Sequence, residues 1–364
     1  MTALLTGLVS VLVFGAVILV HELGHFWAAR RCGIRVEEFS IGFGPKLLAW
    51  GKGETRYVLR LIPLGGYNLF SAPPEGEDDG ETAPPPPAPR PRHAPLFPLA
   101  VRGERFEQAT AWQRFFVTLA GALMNFVLGF VVLLALVLSM QALGGTTVAQ
   151  FTEDSASAAS GLQLGDTILA VDGRRVRTAN SMAQCFGYTE QTHTMTVLRA
   201  GEVLTLDAVT VAPSTDADGN LTSTLDFRVA AIPKMPRNVL VQTGEFFGYY
   251  STAILGGFWQ LATGQVGMEQ LSGPIGTVSA VSQAVQYGWR DVLSLMALLT
   301  INVGIFNLLP VPALDGCKLL FLLFEGLTGH AVPLRLQAAV NTAGLVLLLW
   351  LMAVVTMQDI TRFF

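Results

Sequence analysis

The sequence predicts a polytopic α-helical membrane protein with four transmembrane helices, a β-structured segment at one membrane face and one small β-rich domain inserted after the second span. Three observations carry that expectation: the composition, the number of long uncharged apolar runs, and the turn-rich stretches between them. Of 364 residues, 51% are hydrophobic and only 14% charged, and the mean hydropathy is +0.48. That balance is too apolar for a soluble chain of this size. The formal net charge is -4, and the basic residues form no block that would track phosphates, which excludes nucleic acid as a partner. Cys32, Cys185 and Cys317 lie far apart with no C-x-x-C, so neither a disulfide framework nor a thiolate metal site is indicated.

A bilayer core needs about 20 apolar residues of helix, and four runs satisfy it: Leu4 to Ala28, Phe115 to Met140, Val292 to Val311 and Leu336 to Met357. The first continues into HELGH rather than a small-residue cleavage site, so it reads as a retained span. A fifth stretch, Val239 to Gly267, carries Glu245 and a dense aromatic set, which fits an interfacial helix better than a span. Orientation follows from the flanking charge. Arg30, Arg31, Arg35, Lys46, Arg102, Arg105 and Arg114 lie between the first two spans, whereas the segment from Gln141 to Asp291 offers only Arg290 near a membrane end. Residues 30–112 are therefore expected in the cytoplasm and the N-terminus outside.

The intervening segments divide by composition. Residues 33–70 mix β-branched and aromatic residues with glycine pairs, predicting short strands and turns against the membrane face. Residues 71–111 begin acidic and turn proline-rich, and read as a flexible linker. Residues 145–212 predict a compact β domain: a Gly-Asp turn precedes the strand Thr167 to Val171, Asp172-Gly173 makes a hairpin turn, and two more strands flank Ala200-Gly201. This pattern resembles a PDZ domain, a fold that binds an extended peptide as an added strand. Residues 213–290 complete the outer segment as linker and interfacial helix.

Ionisable residues inside a span are costly and mark function. His21 and His25 stand at i and i+4, so a helix places both imidazoles on one face, about one turn apart, where they chelate one ion. Glu22 beside them is free to take a proton from water rather than bind the metal. A hydrolytic zinc site has three protein ligands and an open position. His93, His193 and His330 fall in the linker, the outer domain and a loop. Asp315, at the C-terminal end of the third span (291–316), reaches the cytoplasmic side only if Val239 to Gly267 does not cross the membrane. An Asp-Gly turn ending a helix is the alternative for Asp315. Pro310 and Pro312 break the helix beside it and free carbonyls, which is tolerated at depth only around a cavity.

HELGH in the first span together with NLLPVPALDG (306–316 region, beginning at Asn307) in the third resembles the site-2 protease family of intramembrane zinc metalloproteases. The PDZ-like insertion, GFGP (42–45), PLGGY (63–67) and SGPIG (272–276) resemble its bacterial RseP-type branch. The resemblance covers nearly the whole chain. It implies that His21, His25 and Asp315 bind Zn2+, that Glu22 is the catalytic base, that 33–70 holds a membrane-associated β-hairpin presenting substrate as a strand, and that Asn307 contacts substrate. It further implies substrates that are single-span membrane proteins, such as anti-sigma factors or remnant signal peptides, cut in regulated intramembrane proteolysis, in a multi-pass protein of a bacterial cytoplasmic membrane whose PDZ domain is extracytoplasmic. A membrane metal-binding or transport protein is the alternative, but it has no need of Glu22 beside His21. The chain departs from the branch in having one PDZ-like domain where many members have two, and in reading GALMNF (121–126) where a Gly-Pro usually precedes the asparagine.

Overall fold

Thr2–Arg31 form one helix, α1, with no acidic residue in its first turn and Arg30 and Arg31 in its last, where cations complement the exposed carbonyls. In this computed structural model, the described residues are 2–51, 53–70, 105–215, 221–267, 269 and 271–363. They group into two compact units, Met1–Val132 with Ala253–Phe364, and Leu133–Thr252. Most of the expected linker, residues 71–104, lies outside the described residues.

After α1 the chain forms a hairpin that doubles back on itself, β1 (Val36–Trp50) and β2 (Arg56–Phe70): residues 38–41 pair with both 66–69 and 56–59, Trp50 pairs with Tyr57, and Thr55 Oγ1 donates to the Val36 carbonyl at 2.8 Å. Its base is buried with α1: Val36 and Phe39 pack with Phe26, Ala29 and Cys32. Elsewhere on the hairpin, Phe43, Leu47, Leu48, Trp50, Leu61 and Ile62 are exposed. Arg60 ties the strands together, donating to Glu38 Oε1 at 2.8 Å, Ser40 Oγ at 2.9 Å and the Gly44 carbonyl at 2.8 Å. Tyr67 donates to the same Glu38 oxygen at 2.8 Å. Burial pushes the Glu38 carboxyl up, but the hydrogen bonds from Arg60 and Tyr67 and the nearby Lys46 charge outweigh it and hold it below the usual range.

The second helix, α2 (Ala111–Ser139), leads into a six-stranded sheet made by β3 (Leu143–Phe151), β4 (Thr167–Val171), β5 (Arg174–Arg175), β6 (Gln191–Arg199), β7 (Glu202–Val211) and, after a short ladder of β8 (Ser214–Thr215) with β9 (Leu221–Ser223), β10 (Phe227–Ile232). Two short helices, α3 (Ala156–Ala159) and α4 (Ala179–Ala183), are capped by Ser155 and Thr178. The main path runs β10-β3-β4-β6-β7 with β5 on β4, over a core that includes Ile168, Met182, Met195 and Val197. Both tight turns use paired positive φ, Asp172 and Gly173 at 48° and 76°, Ala200 and Gly201 at 50° and 91°. That is the backbone a two-residue hairpin loop requires. The sheet extends past the expected limit of residue 212, because β10 pairs with β3 from Phe227 opposite Phe151 to Ile232 opposite Leu143. No tight-turn signature announces β10 in the sequence; its partner strand lies some 80 residues earlier in the chain, roughly the span between those pairs.

The remaining helices are α5 (Pro236–Ala262), α6 (Pro274–Tyr287), α7 (Trp289–Phe306), α8 (Asp315–Thr328) and α9 (Leu334–Phe363). Among the described residues, four helices are long and apolar enough to cross a membrane: α1, α2, α7 and α9. Helix α5 is not among them. The SGPIG motif starts α6, with Pro274 at its first turn and the Gly276 N–H donating at 2.8 Å to Asp359 of α9. A Cβ at Gly273 would lie 2.7 Å from the same carboxylate, so glycine permits this close approach.

The third span corrects the sequence expectation. Helix α7 stops at Phe306 rather than running to residue 316, and Asp315 is the first residue of α8, not the end of the third span. Pro310 supplies no N–H and disfavours helical backbone at Leu309. The 307–314 segment instead closes short turns, including Leu309 N–H to the Ile305 carbonyl and Val311 N–H to the Leu309 carbonyl.

In the inserted sheet, the buried Asp166 accepts from Arg199 Nε and Nη2, both at 2.7 Å, and from the Gln163 N–H at 2.8 Å. Burial pushes its carboxyl up, yet Arg199 and the Gln163 N–H together hold it below the usual range. Arg199→Ala is expected to destabilise this unit by about 1.5–3 kcal/mol, read as faster amide hydrogen exchange in β4 and β6. An acid whose folded pKa is lowered adds stability above its unfolded value and loses it as pH falls through the folded one. The difference between wild type and variant should therefore shrink below about pH 4; a difference independent of pH would remove the ion pair as its cause.

Candidate metal centre

The i, i+4 spacing on α1 brings His21 Nε2 and His25 Nε2 to 3.2 Å. Asp315 Oδ2 lies 3.2 Å from each. All three side chains are nearly buried, at 12–14% exposure, and among the described residues they are the group of His, Cys, Asp or Glu side chains close enough to hold a metal ion. Tetrahedral zinc with ligand bonds of about 2.0–2.2 Å separates neighbouring ligand atoms by ~3.3–3.5 Å. The observed triangle has nearly that edge, and the donor set is one that zinc takes. The residues fit the ion and leave one tetrahedral position for a reactant.

Helix packing makes this triangle possible. A Cβ at Gly24 would lie 2.4 Å from the Ala120 carbonyl oxygen, and one at Gly121 would lie 2.3 Å from His25 Nε2 and 2.8 Å from His21 Cε1. Glycine at both places lets α1 and α2 approach closely enough to set the rings against α2. His25 Nδ1 bonds the Val117 carbonyl at 2.8 Å. A carbonyl only accepts, so the ring proton sits on Nδ1 and the Nε2 lone pair faces Asp315. Asp315 is delivered by the broken third span. A Cβ at Gly316 would lie 1.9 Å from the Leu309 carbonyl oxygen, so only glycine lets α8 begin against that turn.

Glu22 lies beside the triangle and is held by the hairpin. Asn68 Nδ2 donates to Glu22 Oε2 at 2.8 Å and to the Glu22 carbonyl at 3.1 Å, while a Cβ at Gly66 would press on Glu22 Cγ at 2.8 Å. A cavity of about 370 Å³ opens here, lined by His21, Glu22, Asp315, Tyr67, Asn68 and Lys318 among others. Lys318 Nζ is 3.6 Å from Asp315 Oδ1.

The structure thus brings His21, Glu22, His25 and Asp315 to one cavity. It does not bring Asn307 there: that residue ends α7, bonds the Val303 carbonyl through its backbone N–H, and is not among the cavity's lining residues. His193 bonds Asp172 at 2.6 Å in the inserted unit, His330 bonds its own loop at Thr328, and His93 lies outside the described residues. Sequence reasoning missed Asn68, Lys318, Gly121 and Asn125. PLGGY points to Asn68 by adjacency, and GALMNF contains both Gly121 and Asn125, but neither stretch says which helix or strand it meets.

Two imidazoles and two carboxylates gathered on one cavity beside membrane-length helices define a membrane-embedded metallohydrolase. Comparison with known proteins gives the family: the profile of Peptidase family M50 matches residues 9–351, and the chain belongs to that family of site-2 proteases. It is 31% identical to zinc metalloprotease RasP of Shouchella clausii over 99% of each chain. It is 31% identical to zinc metalloprotease RasP of Geobacillus kaustophilus over 97% of each, and 29% identical to regulator of sigma-W protease RasP of Bacillus subtilis over 99% of each. The protein is an intramembrane zinc metalloprotease.

Gly121→Ala inserts a methyl between the two histidines and α2. It is expected to displace the rings and lower zinc content at equal protein, measured by elemental analysis. Full zinc retention with unchanged stability would show that α2 yields at this point.

Proposed function

We propose that His21, His25 and Asp315 are the zinc ligands and Glu22 the general base of a peptidase that cuts single-span membrane proteins, anti-sigma factors or remnant signal peptides among them, in regulated intramembrane proteolysis. The observation that carries this reading is the 3.2 Å triangle of ligand atoms with Glu22 beside it. Bound zinc supplies Lewis acidity, polarising the scissile carbonyl and making water acidic enough to ionise near neutral pH. Glu22 takes the proton from the attacking water and returns it to the leaving amine. Asn68 supports that role by donating to Oε2, which leaves Oε1 directed to the reaction.

A peptide bond within a substrate helix is shielded by its own hydrogen bonding, so the segment unwinds before cleavage. Loose backbone groups at membrane depth need new partners. The hairpin offers them, since among the described residues 66–69 of β2 pair only with 38–41 of β1 and Gly66 to Asn68 line the cavity. Substrate added along that edge lies as a strand beside Glu22. Asn307 is kept in this reading as a substrate contact on resemblance alone. Flanking charge favours a multi-pass protein of the bacterial cytoplasmic membrane with 30–112 in the cytoplasm. The sheet of 143–232 is proposed to be the PDZ domain of an RseP-type enzyme, outside the cytoplasm, where it excludes substrates whose outer part is intact.

Glu22→Gln should keep zinc and lose roughly 10²–10⁴-fold of the cleavage rate for a transmembrane reporter, whereas Asp315→Ala should lose zinc as well. Loss of zinc from Glu22→Gln would make Glu22 a ligand, and full retention by Asp315→Ala would reduce Asp315 to a turn residue. For the outer domain, replacing 143–232 with a Gly/Ser bridge should let an intact substrate be cut while a truncated one is still cut. Unchanged discrimination by a folded variant would remove the domain as the filter.

A further inference from the structure

The two histidines of the centre are supported differently. His25 Nδ1 faces a backbone carbonyl, which cannot change from acceptor to donor, so His25 presents its Nε2 lone pair with or without an ion. His21 Nδ1 instead faces the amide of Asn125 on α2, 3.2 Å from Nδ2. Asn125 is fully buried, and its Oδ1 has no hydrogen-bond partner. One turn before it on the same helix face stands Gly121, the residue that makes room for both rings.

With Nδ2 donating, His21 Nδ1 is the acceptor and the neutral ring carries its proton on Nε2. That proton then points to His25 Nε2 and Asp315 Oδ2. The arrangement satisfies three side chains without a cation, but it leaves His21 no lone pair to give one. Nδ1 cannot serve instead, because it faces Asn125 rather than Asp315. The ring binds zinc through Nε2 only when Nδ1 bears the proton and something accepts it. A half-turn of the Asn125 amide about Cβ–Cγ exchanges two groups of nearly equal shape and places Oδ1 on Nδ1–H.

We infer that Asn125 is a positioning residue of the metal centre, its side-chain oxygen accepting the His21 Nδ1 proton and so fixing the tautomer that binds zinc. The inference rests on His21, His25 and Asp315 being the ligands. A purely structural role would not need this side chain: the bond between α2 and α7 at this level runs from Thr300 Oγ1 to the Asn125 backbone carbonyl at 3.2 Å, which any residue supplies. The oxygen matters only toward His21. Outer partners of ligating histidines tune metal affinity by about 10–100-fold when removed, and that is the effect expected here.

The test uses the full chain in detergent micelles, with zinc affinity read by competition against a chromophoric chelator and folding by thermal unfolding. Asn125→Leu removes the acceptor at similar volume and should weaken zinc binding about 10–100-fold. Asn125→Asp changes one group and, as a carboxylate, only accepts, so it should hold zinc at least as tightly as wild type. Wild-type affinity in the leucine variant overturns the inference. So does equal weakening in both variants, which would make the amide a donor in the zinc-bound protein. If the leucine variant does not fold, the aspartate variant decides alone: retained affinity supports the acceptor role and a loss overturns it. His21→Ala is measured beside them, and full zinc retention there would refute the ligand set itself, separately from Asn125.

Discussion

The structure of the membrane unit depends on bringing three donor atoms from two separated helices to one point inside an apolar layer. His21 and His25 come from α1 and Asp315 from the start of α8, nearly 300 residues on. Ionisable groups at that depth are tolerated only when they compensate one another or a cation. Close helix approach therefore comes first, and it is set by the absence of side chains: Gly24 against Ala120, Gly121 against both rings, Gly316 against the Leu309 carbonyl. Any one of them with a Cβ would push apart elements whose separation the ligand triangle fixes.

The broken third span is the second consequence. A continuous helix through residues 307–314 would keep its carbonyls internally bonded and carry Asp315 along α7. Pro310 and Pro312, two residues apart, prevent it. The chain turns, restarts as α8, and places Asp315 in the first turn of a new helix. A carboxylate there also faces unpaired N–H groups, a favourable place for negative charge. The interruption thus supplies a proposed ligand, a turn and space for a cavity at once.

The hairpin completes the site by a different device. Its long strands are irregularly paired, with positive φ at Gly42 and Gly44, and Arg60 compensates by joining Glu38, Ser40, Gly44 and Tyr67 in one polar cluster. That cluster holds β2 in register so that Gly66 leaves room for Glu22 and Asn68 reaches it. The exposed apolar side chains Phe43, Leu47, Leu48, Trp50, Leu61 and Ile62 make a hairpin surface suited to lipid. The orientation of the proposed base is therefore set by a strand as well as by the helix that carries it.

The sequence by itself determined what local periodicity and turn chemistry can encode. Long uncharged runs name α1, α2, α7 and α9, the i, i+4 histidines share a helix face, and Asp172-Gly173 and Ala200-Gly201 turn where paired positive φ is needed. HELGH and LDG could be paired as a set through the resemblance to the site-2 protease family. Only the tertiary structure decided how far α7 runs, that β10 closes the sheet on β3, that Asn307 lies away from the cavity, and that Asn68 and Asn125 stand against Glu22 and His21. Each of these depends on which distant element a residue meets. A lone asparagine in an apolar helix has the same local pattern whether it faces lipid, a neighbouring backbone or a metal ligand, and packing alone selects among them.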